Sequence, residues 1–464
     1  MIKFKEPLDK LINQPKKFTK HLKFPKPGKI KIYDDTLRDG EQMPGVAFSP
    51  EQKLKLAKLL SDMGVHVMDV AFPVNGESDC KGLQLIVQAQ KKGEIKKEIE
   101  ILAMCRSNSS DVDIVIKTLA EIGAEPDDVS ILILSTISDL HIKYKLGRTL
   151  LKREGKSADK WISTPLEFFR QANTNMVCDT IRYAKSKGIS RIEFASEDAS
   201  RGNIEYGVKW AKACIKAGGT RMCFSDTCGV FTPESVDYYI PRMIKALDGI
   251  PMTAHFHNDF GLGALNTVRA VKHGATYMGV TANAIGERAG NTSIHQVVMI
   301  LKELYGVEIP GFKYHLLHHL RREVEKYSGI PIQPHEPIIG EGVFAHESGI
   351  HTAGILIHPA IYQFIREETV GGKQKFVFGK HSGAGAVESV LKKNEDILKK
   401  KGIEITPELI SKLLNKVKQI REKQIRNYED YIENYYKNYN SLGISEEQLM
   451  EIAMSISKER KERN

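Results

Sequence analysis

The chain has 464 residues, 41% of them hydrophobic and 27% charged, with a formal net charge of +10 and a pI of about 9.0. This is the composition of a globular chain, too long for one compact core in most architectures, so long disorder is excluded and one large domain with appendages is expected. No run of about 18 apolar residues occurs, which excludes a membrane helix, and no basic-aromatic pattern of a nucleic-acid module stands out.

Six cysteines (Cys80, Cys105, Cys178, Cys214, Cys223 and Cys228) form no C-x-x-C pair. Irregular spacing in a chain this size reads as free thiols in a reducing compartment. Lysines interrupt the N-terminus and no apolar signal core follows, so a cytoplasmic location is expected.

In chain order, residues 1–28 form a basic arm that includes Lys3, Lys5, Lys10, Lys16, Lys17, Lys20, Lys23 and Lys26. A solvated lysine surface explains such a run; a basic face also helps an acidic substrate arrive. Eight short runs rich in β-formers follow, at 29–35, 65–72, 98–105, 129–135, 190–196, 220–226, 251–257 and 276–282. Segments of helical period separate most of them, such as 49–64 and 203–219. This alternation predicts an α/β chain with a closed parallel (β/α)8 TIM barrel over 29–305. An open doubly wound sheet would want a glycine-rich phosphate turn after its first strand, where this chain has TLRDGEQ. The stretch between the fourth and fifth runs is longer than the others and predicts an insertion on the catalytic side.

Beyond the barrel, residues 306–400 read as a small accessory region with Gly/His-rich loops, and 401–464 as a C-terminal helical region. Thr406-Pro407-Glu408 has the order of a helix start: cap, proline, acid. One long charged helix is expected from there, with Tyr428, Tyr431, Tyr435 and Tyr439 as a packing stripe. Ser445 and Gln448 match a capping box.

The chemistry-bearing residues cluster at the ends of the predicted strands. His255 and His257 stand two apart on the seventh, so both imidazoles share a face and suit a divalent cation. An isolated H-x-H is more often a hydrogen-bonded pair. Its company changes the balance: Asp39 ends the first strand as an anionic ligand, with Arg38 beside it to polarise a carbonyl. Asn291, in NAIGERAGN after the eighth strand, offers a fourth ligand, and Gly286 and Gly290 permit close backbone approach. Glu197 ends strand five as a base or hydroxyl holder. Thr227 ends strand six, placed for a substrate carboxylate. His351 and Tyr362 lie outside the barrel, and spacing alone gives them no role.

The segments DTLRDGEQ, AHFHND, IGERAGN, FAHESGIH and FGKHSG, in this order, resemble the 2-isopropylmalate synthase and homocitrate synthase family of metal-dependent barrel enzymes. The resemblance implies condensation of acetyl-CoA, as a substrate, with a 2-oxo acid, followed by thioester hydrolysis. It implies a divalent metal (Mn2+, Zn2+ or Mg2+) on Asp39, His255 and His257, with Asn291 as a further ligand. It implies that Arg38 polarises the keto group, that Thr227 contacts the carboxylate, and that Glu197, His351 and Tyr362 take part in removing a proton from the acetyl methyl. It also implies a homodimer in which the His351 region reaches the other subunit. GEQMPGVAFS, AMCRS, SDLHIKYKLGR and EDASR look most like nitrogen-fixation-type homocitrate synthases, which points to 2-oxoglutarate, with Arg106 as the cation for its second carboxylate. 2-Oxoisovalerate and pyruvate are the alternatives. Related lyases would want a cysteine-bearing glycine loop at the mouth and no accessory region, and the HESGIH segment argues against them; a carboxyltransferase would want a modified lysine at a strand end, and none is placed for it. A non-enzymatic basic binding protein would hold no metal and would lose affinity steeply with salt.

Overall fold

A computed structural model describes residues 15–423, 428–441 and 443–462. Lys3, Lys5 and Lys10 of the basic arm lie outside the described residues. The chain divides into two compact units, one comprising 15–313 with 320–330, the other 314–319 with 331 onward. The barrel unit thus extends past the expected boundary at 305 and takes in most of the helix Leu317–Ser328.

The expected eight strands all form: β1 (Lys31–Asp34), β2 (Val67–Ala71), β3 (Glu100–Arg106), β4 (Ser130–Thr136), β5 (Ile192–Glu197), β6 (Arg221–Asp226), β7 (Met252–Phe256) and β8 (Tyr277–Val280). They pair in sequence order as a closed parallel barrel. β8 returns to β1 in the register Tyr33↔Gly279 and Asp34↔Val280, which closes the ring. A helix covers the barrel after each strand, and local sequence sets the helix ends. Ser49 and Gln52 make a reciprocal capping box on Pro50–Met63; Asn108, Asn203, Thr232 and Ser293 cap later helices through side-chain oxygens. Each satisfies a backbone N–H that the first turn leaves unpaired.

The barrel interior is packed, not open. Tyr33, Val67, Leu102, Met104, Leu132, Ala195 and Cys223 form one buried cluster. Beside it Arg221 donates to both Glu100 oxygens at 2.8 and 2.9 Å and to Glu193 at 2.8 Å. Thr253 donates to the other Glu193 oxygen at 2.6 Å. The Arg221 guanidinium lies against the Tyr33 and Tyr277 rings. A buried cation needs this company, because isolated it would bear a large desolvation cost.

The insertion between β4 and β5 is a π-turn (His141–Lys145), a short helix (Gly147–Arg153) and a 3-10 turn (Ala158–Trp161) ahead of the helix Leu166–Ser186. In the second unit, Thr406 caps Pro407–Lys423 as its sequence suggests, and Ser445 and Gln448 make both bonds of the capping box. The single long helix does not form. Tyr431, Tyr435 and Tyr439 lie on a separate helix, Glu429–Asn440, and Tyr428 and Tyr431 are exposed.

Candidate active site and metal seat

The seat is built from three places in the chain. β1 runs into Asp34-Asp35-Thr36-Leu37-Arg38-Asp39, whose tight turn is held by Gly40 N–H donating to the Asp35 carbonyl at 2.9 Å. β7 delivers His255, and His257 follows one residue beyond its end, bridged to Asn291. The loop after β8 brings Asn291, and this loop is strained. Asn283, Ala284 and Arg288 have positive φ, conformations that non-glycine residues hold only when their surroundings impose them. Gly290 (φ +87°) is indispensable there, since a Cβ would sit 1.9 Å from the Ala284 carbonyl oxygen.

Three donor atoms converge. His255 Nε2 is 3.3 Å from His257 Nε2 and 3.4 Å from Asp39 Oδ2, and His257 Nε2 is 4.0 Å from the same oxygen. Asp39, His255 and His257 are all buried and form a group able to hold a metal ion. Asn291 Nδ2 donates to Asp39 Oδ2 at 2.5 Å, while its Oδ1 is buried without a partner. An amide flip exchanges these two atoms, so the orphaned oxygen is a ready fourth donor. Two imidazoles, a carboxylate and an amide oxygen are a ligand set for a divalent cation, and the residues present fit one.

Electrostatics around the seat are polarised. Burial works against charge on His255, but Asp35 and then Asp39 outweigh it and raise its pKa to about 10. Burial, followed by His255, lowers His257 to about 4. Asp39 is held well below the usual carboxylate range: burial opposes ionisation, and Arg38 and His255 overcome it. Arg38 is fixed by Asp69 (2.6 and 2.8 Å) and Asp39 (2.6 Å).

A cavity of about 290 Å3 opens beside the seat, lined among others by Arg38, Asp39, Glu197, Thr227, His255 and His257. Asp198 adopts a left-handed φ of 56° after Glu197. Its N–H donates to Thr227 Oγ1 at 2.8 Å, which leaves the Thr227 hydroxyl proton free to donate. Glu197 accepts from Lys145 at 2.6 and 2.8 Å and lies 3.4 Å from His141 Nδ1. Burial alone would raise its pKa; His141 and Lys145 lower it instead, so Glu197 is a carboxylate at neutral pH.

Arg106 is not brought to the cavity. Its side chain is 57% exposed and grips Asp111 through Nε and Nη2, both at 2.9 Å. His351 and Tyr362 belong to the second unit, where their rings stack at 4.2 Å.

Sequence reasoning missed five participants. Asp35 Oδ2 lies 3.0 Å from His255 Nδ1 and orients that ring; β1 parity, which places residues 33 and 35 on one face, could have found it. Arg288, paired with Asp259 at 2.8 and 2.9 Å, and Glu287 line the cavity rim. His141 and Lys145 reach Glu197 from the insertion, for which spacing gave no signal.

Residues 29–324 match the HMGL-like family model, and 338–425 match the model described as homocitrate synthase post-HMGL domain-like. The chain is 34% identical to "Homocitrate synthase AksA" of Methanopyrus kandleri, covering 89% of this chain and 93% of that one. It is also 34% identical to "2-isopropylmalate synthase" of Sulfolobus acidocaldarius, covering 85% and 91%. The chain belongs to the HMGL-like family. Within it, this chain sits among the 2-isopropylmalate and homocitrate synthases and is an enzyme of that kind, as its motifs lead one to expect. Equal identity to two differently named relatives leaves the choice between them to the site. Among the described residues no helix is long and apolar enough to cross a membrane.

Proposed function

We propose that this chain condenses the acetyl group of acetyl-CoA with a 2-oxo acid and then hydrolyses the thioester, as a cytoplasmic homodimeric acyltransferase. The observation that carries the reading is the convergence of His255 Nε2, His257 Nε2, Asp39 Oδ2 and the Asn291 amide at the edge of a cavity that also holds Arg38, Glu197 and Thr227. A divalent cation held by Asp39, His255, His257 and Asn291 would supply Lewis acidity to a keto oxygen. Arg38, locked by Asp39 and Asp69, presents a fixed positive charge where negative charge grows on that oxygen. Thr227 donates its hydroxyl proton to the substrate carboxylate. Glu197, already ionised, accepts a proton from the acetyl methyl directly or by way of His351 and Tyr362. The deprotonated methyl carbon then forms a bond to the keto carbon as the carbonyl π pair moves onto the keto oxygen, which takes up a proton; water adds to the thioester carbonyl and the C–S bond breaks, leaving a carboxylate and free coenzyme A. Homodimerisation and the part of His351 rest on the family resemblance, supported by a stacked His351–Tyr362 pair whose tyrosine is 44% exposed.

The test is release of free thiol from acetyl-CoA in the presence of Mn2+, Zn2+ or Mg2+ and a panel of 2-oxo acids. Thiol release that depends on the oxo acid supports the reading. Silence across the panel with every metal rejects it. The motifs favour 2-oxoglutarate within this panel, but Arg106, its expected counter-ion, is engaged by Asp111.

A further inference from the structure

The walls of the cavity differ in chemistry. The seat occupies the side made by β1, β7 and the loop after β8. The opposite arc, β3 to β6, contributes the apolar Met104, Leu132, Leu134, Ala195 and Cys223, with Glu197 and Ser225 nearer the C-terminal ends of β5 and β6. A second carboxylate on the substrate would need a cation on this arc, and none of the residues lining the cavity supplies one there.

The cations that do exist nearby are spoken for. Arg38 and Arg288 line the cavity, the first bound by Asp39 and Asp69, the second by Asp259. Arg221, in the barrel interior, is matched to Glu100 and Glu193, and Lys145 is held by Glu197. The lining itself holds four carboxylates (Asp35, Asp39, Glu197 and Glu287) against those two guanidiniums. Besides Glu197 and Ser225, the polar group beside these apolar residues is Tyr33 Oη, buried and without a partner. It is a neutral donor: burial first, then Glu193, Asp69 and Asp35, hold its proton in place against the opposing Arg221.

We propose that the 2-oxo acid of this enzyme carries a short saturated side chain, seated on Met104, Leu132, Leu134, Ala195 and Cys223, and not a second carboxylate. The proposal rests on the condensation reading above and deepens it. Burying an unpaired carboxylate on such a wall is heavily penalised, whereas an alkyl group of one to three carbons gains from leaving water. The apolar arc therefore sets specificity, and the motif-based expectation of 2-oxoglutarate gives way to a substrate of the pyruvate to 2-oxoisovalerate class.

The experiment compares kcat/KM for pyruvate, 2-oxobutyrate, 2-oxoisovalerate, oxaloacetate and 2-oxoglutarate, with the full chain, Mn2+ and saturating acetyl-CoA. The best monocarboxylate should exceed both dicarboxylates by about 100-fold or more, the scale set by an unpaired polar group in an apolar pocket. A dicarboxylate within tenfold of the best substrate overturns this proposal and leaves the condensation standing. Silence with every oxo acid overturns the condensation, and the specificity falls with it. Two variants sharpen the result. Leu134→Arg, at a partly buried position, should raise relative use of 2-oxoglutarate at least tenfold; Leu132→Ala should shift preference toward longer branched side chains. A soluble, folded pair of variants with an unchanged substrate profile overturns the role of the arc.

Discussion

Replacing Asp35 by Asn tests how the seat is held. Asp35 is 1% exposed, with Oδ2 3.0 Å from His255 Nδ1 and Oδ1 3.6 Å from Arg38 Nη2. One carboxylate thus faces two donors. Asparagine keeps the shape but has a single acceptor oxygen. If that oxygen stays with His255, an NH2 group meets the Arg38 guanidinium, donor against donor; if it turns to Arg38, His255 loses the bond that fixes its tautomer and turns Nε2 toward Asp39. Either way the charge-assisted bond is gone. Loss of such an outer partner costs roughly 10- to 100-fold in metal affinity, or about 1.4 to 2.8 kcal/mol at 1.4 kcal/mol per decade. Competition for Mn2+ or Zn2+ against a chelator of known affinity measures this without turnover. Affinity of the Asp35→Asn variant within threefold of the parent, in a normally folded protein, refutes the orienting role.

Gly290→Ala forces a Cβ to 1.9 Å from the Ala284 carbonyl at φ +87° and should destabilise by about 3 kcal/mol or more. Thermal unfolding checks it, with Gly385→Ala, where a Cβ meets nothing within 4 Å, as the control. Burial, helped by Lys31, lowers the pKa of His66 to about 4, and its Nδ1 accepts from Ile32 N–H at 3.1 Å. Because the folded value lies below the ordinary 6.5, its contribution is intact above pH 6.5 and is lost as pH falls toward about 4. The unfolded chain takes a proton there that the native state refuses. The loss should be roughly 1–2 kcal/mol after solvent screening. Urea unfolding at pH 7 and pH 4.5 should show a smaller acid loss for His66→Gln than for the parent; equal losses would contradict this. Glu197→Gln should lower kcat by about 100-fold or more with little change in KM for the oxo acid. A preserved kcat would remove Glu197 from proton transfer.

The barrel was legible because its signal is redundant: eight apolar runs, helical periods between them, and caps such as Ser49 and Asn108 at the boundaries. The seat was legible because strand parity puts 255 and 257 on one face, and because Asp39 and Asn291 sit at the ends of neighbouring elements. What escaped the sequence was pairing at a distance. Arg106 looked free at the end of β3, yet Asn108 caps the next helix and so delivers Asp111 in its first turn to that guanidinium. Lys145 carries no signal in the sequence, and a π-turn aims it at Glu197. The tyrosine stripe suggested a continuation of the helix begun at Pro407, but periodicity carries no information about where a helix breaks.

The seam of the barrel, where β8 closes on β1, has a thermodynamic consequence. Asp39 and Asn291 are 252 positions apart and meet only when the ring is complete. No fragment short of that closure assembles the full seat, so any cation bound there favours the closed ring over every partly folded form. Occupancy at 100 times the dissociation constant would add about 2.7 kcal/mol to closure. A cation held there would act as a clasp on the closed ring.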